Sequence, residues 1–212
     1  MVDVRLLAHP PLASSSALTF LSGAGLYGGM VLLPLYWQEV RGESAVRAGL
    51  LLAPQGIGAL LSRPLAGGLS DELGARWVAF TGFAIVGVAS VPFALATTTT
   101  NQWFLMAALL VRGFGIAAVS IPLSAAAFIG LRREEIPGAG IITRIAQQVG
   151  GAFGVAVLAV ILDAALRNRG AHSGPAEAFD QAFWWAVGFT AVALMLSLAL
   201  PGRTPSPIPK AT

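Results

Sequence analysis

The sequence predicts an all-α integral membrane protein with six transmembrane helices. Three observations carry that expectation. The chain of 212 residues is 56% hydrophobic and only 11% charged, against about 25% charged in a typical soluble domain. Its charges are clustered, so long stretches carry none. Those stretches are apolar all round, whereas barrel strands alternate apolar and polar residues over about 10 positions. With a mean hydropathy of +0.75, neither a water-soluble globule nor a disordered chain fits, since disordered segments are poor in apolar residues.

The gaps between charges place the elements in order. No charge falls between Arg5 and Glu39, and a first span is expected from about Ser15 to Trp37. The gap from Arg47 to Arg63 seeds a second span, Ala48 to Ser70. The gap from Arg76 to Arg112 is long enough for one span and the start of another, because a crossing needs about 20 apolar residues. It contains a turn, Thr97-Thr98-Thr99-Thr100-Asn101-Gln102, between a third span (Trp77 to Ala96) and a fourth (Trp103 to Gly130). Further gaps give a fifth span from Ile141 to Leu166 and a sixth from Ala182 to Leu200. Residues 1–14 are expected to form a cytoplasmic lead-in, mixed in character and unlike a signal peptide. Residues 201–212, rich in proline, are expected to form a flexible cytoplasmic tail.

Six spans put both termini on one side. With that side cytoplasmic, Arg5, Arg63, Arg76, Arg132, Arg133, Arg144, Arg203 and Lys210 lie inside, against Arg41, Arg47, Arg167 and Arg169 outside. The excess follows the positive-inside rule and predicts a multi-pass protein of the cytoplasmic membrane. Twelve arginines against one lysine suit a GC-rich bacterial genome. The lipid bilayer is then the first partner, and a net charge of +3 gives no argument for nucleic acid. The chain has no cysteine, which excludes disulfides and thiolate chemistry. No cofactor or metal is expected. An enzyme is not expected either, because His9 and His172 lie outside the spans and no paired acids lie at membrane depth.

Inside the spans, small residues let helices approach closely. Gly25 and Gly29 stand one turn apart in the first span, and Gly150 and Gly154 in the fifth; all four are expected at helix contacts. Pro34, Pro54, Pro92 and Pro122 each remove a backbone bond, which membrane helices tolerate when neighbours satisfy the freed carbonyl. Arg112 lies within the fourth span, where a charge faces a cavity, pairs with an acid or snorkels. Arg144, Gln147 and Gln148 either line a polar cavity or bond a neighbouring helix. Asp163 reads as an interfacial cap. Trp37, Trp77, Trp103, Trp184 and Trp185 fall near span ends, as an aromatic belt does.

The segment between spans two and three carries the most specific motif. It reads Gly67-Gly68-Leu69-Ser70-Asp71-Glu72-Leu73-Gly74-Ala75-Arg76. Gly67 is expected to allow close helix approach, and Gly74 a tight turn at positive φ. Asp71 can accept backbone N–H bonds at a helix start or pair with arginine. Arg76 supplies a cytoplasmic anchor.

At this motif the chain resembles the major facilitator superfamily. The family's signature, Gly-x-Leu-Ala-Asp-Arg-x-Gly-Arg-Arg, lies between the second and third helices of a six-helix half. Gly67, Leu69, Asp71, Gly74 and Arg76 fit it; Glu72 stands where the family has a basic residue. Leu32-Leu33-Pro34-Leu35-Tyr36-Trp37-Gln38, Ala48-Gly49-Leu50-Leu51-Leu52-Ala53-Pro54 and Ala146-Gln147-Gln148-Val149-Gly150-Gly151-Ala152-Phe153-Gly154 are similar to the C-terminal half of the fourteen-helix drug:proton antiporters. That branch often has arginine where Gln147 stands.

The resemblance implies one half (3+3 helices) of a major facilitator fold, with Gly67, Asp71, Gly74 and Arg76 as the conformational loop. It also implies multidrug or small-molecule efflux by proton antiport, carried out with a second half. The first, second, fourth and fifth helices would line the cavity, with Arg112, Arg144, Gln147 and Gln148 as its polar lining. The partner would be an N-terminal half or a second copy, and the small-molecule substrate is unknown. The alternative is a non-transporting interaction module that pairs with itself or with another carrier.

Overall fold

The computed structural model describes Leu6 and residues 8–168 and 174–200. Its six helices are α1 (Pro10–Leu35), α2 (Ala45–Leu73), α3 (Ala75–Ala94), α4 (Gln102–Ala127), α5 (Ile136–Asn168) and α6 (Pro175–Ser197). All six are long and apolar enough to cross a membrane. Several outrun the expected spans, because a helix continues past the hydrocarbon edge wherever capping and propensity allow. Thus α1 takes in Pro10 to Ser14 of the expected lead-in. The expected tail, 201–212, lies outside the described residues.

Local chemistry sets the helix ends. Ser44 caps α2 by accepting from the Arg47 amide. Asn101 caps α4 by accepting from the Trp103 amide at 2.9 Å. Pro10 and Pro175 stand at helix starts, where the missing N–H costs nothing. Pro34 stands inside α1, and the helix then widens into a π-helical turn, Tyr36–Val40. The Gln38 side-chain amide donates to the Pro34 carbonyl at 3.2 Å.

Two pairings dominate the packing, α1 against α5 and α2 against α4. Each joins one helix of the first three to one of the last three. Glycine brings the backbones together in both. A Cβ on Gly23 would overlap the Gln147 carbonyl oxygen, and on Gly150 or Gly154 the carbonyl oxygens of Phe20 or Ala24. Between α2 and α4, Gly58 lies against the Leu110 carbonyl and Gly113 against the Gln55 carbonyl. Gly25 departs from the expectation, since a Cβ there would meet nothing within 4 Å. Gly29 is at a helix contact, but with α4, where it lies against the Arg112 guanidinium. The seam of α1 with α5 therefore runs through Gly23 and Gly28, not through Gly25 and Gly29.

At the end of the bundle away from Pro10, an aromatic core closes the structure. Tyr36 meets Trp37, Phe93, Phe179 and Phe183 edge-on, with ring centroids 5.7–6.3 Å apart. Trp37 is 0% exposed, which corrects its expected place in the aromatic belt; the turn after Pro34 directs the indole inward. Trp77, Trp103, Trp184 and Trp185 are exposed. Asp163 is no cap either. It pairs with Arg167 one turn on, at 2.6 Å, and both side chains are exposed.

The outer faces of α2 and α5 remain apolar and uncovered. On α2, Ala48, Leu51, Gly58, Ser62 and Ala66 turn inward, while Leu50, Ile57, Leu61 and Leu65 are exposed. On α5, Ile141, Ile145, Val149 and Val160 are exposed. Such a face suits acyl chains or another helix bundle.

Candidate functional site

The site consists of two polar features at different depths. The deeper one is Arg112. It lies 10 residues into α4, roughly 15 Å along the helix at about 1.5 Å per residue, near mid-membrane. Its side chain is only 5% exposed. Nη1 donates to Gln55 Oε1 at 2.9 Å, Nε to Ser90 Oγ at 3.2 Å and Nη2 to the Gly25 carbonyl at 3.1 Å. One guanidinium thus ties α4 to α2, α3 and α1. Its planar, pre-organised fork holds these three donors in fixed relative directions. Arg112 is therefore a brace inside the bundle rather than the lining of the polar cavity described next, and among the described residues it has no acidic partner.

The second feature is a cavity of about 240 Å³ between α1, α4 and α5. Thr19 and Ser22 of α1 line it, with Ser120, Leu123 and Ser124 of α4 and Gly140, Thr143, Arg144 and Gln147 of α5. It lies toward the membrane face shared by the start of α1, the end of α4 and the start of α5. The aromatic core closes the opposite end. Helical periodicity explains the lining: Ser124 stands one turn beyond Ser120, and Thr143, Arg144 and Gln147 stand one or two turns beyond Gly140, so each set shares a helix face. Arg144, itself exposed, and Gln147 thus line the cavity, whereas Gln148 does not. Gln148, about 100° round the helix from Gln147, falls outside the arc that Gly140, Thr143, Arg144 and Gln147 turn to the cavity.

Several of the hydroxyls are already committed as donors. Thr19 Oγ1 donates to the Ser15 carbonyl at 2.7 Å, Ser120 Oγ to Ile116 at 3.1 Å and Ser124 Oγ to Ser120 at 2.8 Å. Thr143 Oγ1 donates to the carbonyls of Ala139 and Gly140. The lining thus offers hydroxyl oxygens as acceptors, with N–H groups from Arg144 and both an N–H donor and an acceptor oxygen from Gln147.

The motif between α2 and α3 is tighter than a loop. Helix α2 runs through Asp71 to Leu73, and α3 begins at Ala75. Gly74 alone makes the corner, at φ +87° and ψ +151°, a region open essentially to glycine. Asp71 therefore stands in the last turn of α2 and not at a helix start; its side chain lies outside the described residues. The Arg76 guanidinium stacks over the Trp77 ring at 5.9 Å. Gly67 approaches nothing, because a Cβ there would have open space; α2 buries Ala66 and Ser62 instead.

Sequence reasoning missed Gln55 and Ser90, the hydroxyl lining of the cavity (Thr19, Ser22, Ser120, Ser124 and Thr143) and, outside the site, Arg41. Gln55 and Ser90, which hold Arg112, are 57 and 22 residues away from it in the chain. Arg41 donates to the carbonyls of Thr97, Thr98 and Thr100 at 3.2, 2.7 and 2.8 Å. It fastens the α1–α2 connection to the α3–α4 turn. The only signal for that contact was a lone cation facing a run of turn residues.

Comparison with known proteins places this arrangement. The family model described as Major Facilitator Superfamily matches residues 3–155. A Multidrug resistance protein B homolog of Mycobacterium tuberculosis is 30% identical over 164 residues, covering 76% of this chain and 30% of its own length. A Tetracycline resistance determinant of Streptomyces rimosus is 31% identical over 174 residues, covering 80% of this chain and 49% of its own length. The chain thus spans less than half the length of these relatives. A solved structure from work on substrate recognition in proton-dependent oligopeptide transporters superposes with a TM-score of 0.81 at 20% identity, over 95% of this chain and 44% of that one. A bacterial homologue of the human drug peptide transporters gives 0.78 at 22% identity, with the same coverage. The fold is therefore one six-helix half of those structures, and the chain belongs to the major facilitator superfamily.

Proposed function

We propose that this chain is the C-terminal half of a drug:proton antiporter of the fourteen-helix type, acting in small-molecule efflux together with a second half. The observation that carries the reading is the cavity. Three helices supply one polar wall around about 240 Å³, less than the roughly 300–1,000 Å³ of drug-sized pockets. Relatives named for multidrug, tetracycline and lincomycin resistance support efflux as the activity. The exposed apolar faces of α2 and α5 give a partner bundle somewhere to pack, whether an N-terminal half or a second copy. Among the described residues no carboxylate lines the cavity, so the proton-carrying acid belongs to the partner. The corner at Gly74 would serve as the pivot when the halves rock about the bound substrate. The excess of arginine near the α1 N-terminal face supports cytoplasmic termini in the cell membrane.

The test joins genetics to resistance. The DNA upstream of Met1 is translated, and the chain is expressed in a drug-sensitive bacterium with and without any six to eight further spans found there. The reading predicts raised resistance to tetracycline or lincomycin only when both halves are present. Resistance from the 212 residues alone, or none from the reunited halves, contradicts it. Crosslinking that captures an intact foreign carrier, with transport unchanged when Arg112 and Gln147 are replaced, favours the interaction-module reading instead.

A further inference from the structure

We infer that the cavity between α1, α4 and α5 receives an organic anion that carries its own hydroxyl or N–H donors, and that Arg144 selects the charge. This rests on reading the cavity as the substrate site. The lining has one full charge, the Arg144 guanidinium, and no carboxylate among the described residues. The ion pairs among those residues are Arg47 with Glu43 and Arg167 with Asp163, so Arg144 has none. A second unneutralised cation, Arg112, lies deeper in the bundle, bonded to the Gly25 carbonyl one turn beyond Ser22. A cation entering here meets repulsion from both. An anion meets the N–H groups of Arg144 and Gln147, and charge-assisted bonds of that kind are the strong ones.

The hydroxyls add the second requirement. Thr19, Ser120, Ser124 and Thr143 each spend the hydroxyl proton on a carbonyl of their own helix. They therefore offer acceptor lone pairs to a ligand. A ligand with only an acid group and a hydrocarbon body would make no bond to these oxygens. A hydroxylated or amide-bearing acid answers both sides of the wall.

The chain lacks cysteine, so the variant Ser124→Cys places a single thiol in the cavity. It is embedded in zwitterionic nanodiscs and labelled with sulfonatoethyl or trimethylammonioethyl methanethiosulfonate. Each rate is normalised to that of free mercaptoethanol. The anionic reagent is expected to be favoured by about tenfold. Adding Arg144→Gln should return the ratio to the free-thiol value, while Arg144→Lys should keep it. Labelling by the neutral methyl reagent should then be slowed by 6-hydroxy-2-naphthoate, more weakly by 2-naphthoate, and not by (2-naphthylmethyl)trimethylammonium. A ratio at the free-thiol value overturns the inference, as does a ratio insensitive to Arg144→Gln. So does protection by the cation, or no protection by the hydroxylated acid. Loss of the ratio on adding a second half would mean that a partner carboxylate neutralises Arg144, which also overturns it. If the ratio and protection hold while reunited halves give no resistance, the efflux reading fails and the cavity's preference stands.

Discussion

Arg112 and Gln55 meet at 2.9 Å, guanidinium to amide oxygen, across 57 residues of sequence. With the Ser90 and Gly25 contacts, this bond holds four helices around a charge near mid-membrane. A buried cation of this kind is costly unless its N–H groups are satisfied, so its partners should be energetically coupled to it. Replacing Gln55 by Ala in the native background should destabilise the bundle by about 1–2 kcal/mol. In an Arg112→Met background the same replacement should cost much less, leaving a coupling of about 1 kcal/mol. Unfolding in mixed micelles with increasing sodium dodecyl sulfate measures all four proteins.

The glycines divide into those that touch and those that do not. Gly154→Val should push α1 off α5, because its Cβ would overlap the Ala24 carbonyl; a loss of about 1–3 kcal/mol is expected. Gly25→Ala, with nothing within 4 Å, should be neutral or stabilise slightly, since alanine favours helix by about 0.5–1 kcal/mol over glycine. Thermal melts in detergent distinguish the two. Equal losses would show that α1 uses both faces for packing.

Gly74 and Gly67 separate in the same manner. Gly74→Ala forces a side chain into a region essentially reserved for glycine, at a cost of about 1–3 kcal/mol. Gly67→Ala should be close to neutral in this six-helix half. Amide exchange at the α2–α3 corner should rise in the first variant and stay unchanged in the second.

Arg41 gives a prediction outside the membrane core. Arg41→Gln should release the Thr97–Thr100 turn, raising amide exchange there while the α2–α4 seam stays protected. The contact is exposed, so global stability should fall by only about 0.5–1 kcal/mol.

The spans were legible because membrane crossing needs length and apolarity, and charge gaps report both. The helix ends were less legible, since α2 and α3 share a single corner residue and Ser70 to Leu73 look like a loop in composition. Small-residue spacing found Gly150 and Gly154, which lie against α1. On α1 it found Gly29, which lies against Arg112 of α4, but not the α5 seam at Gly23 and Gly28, because four glycines offer several registers and only the partner's surface selects one. Trp37 was misplaced for a related reason: proximity to a span end says nothing about which way a π-helical turn points a ring. Arg112 stood out as a charge in lipid, yet its partners are two neutral side chains and a carbonyl on other helices, which no local pattern encodes.

Transport by the chain alone is the most direct measurement. The purified 212-residue protein is reconstituted in liposomes with an imposed pH gradient, and uptake of labelled tetracycline is followed against empty vesicles. A single wall around the cavity, with no carboxylate among its described lining, predicts no gradient-driven uptake above the empty vesicles. Saturable, gradient-dependent uptake by this chain with no other protein present would contradict the claim that it is one half of a two-part carrier.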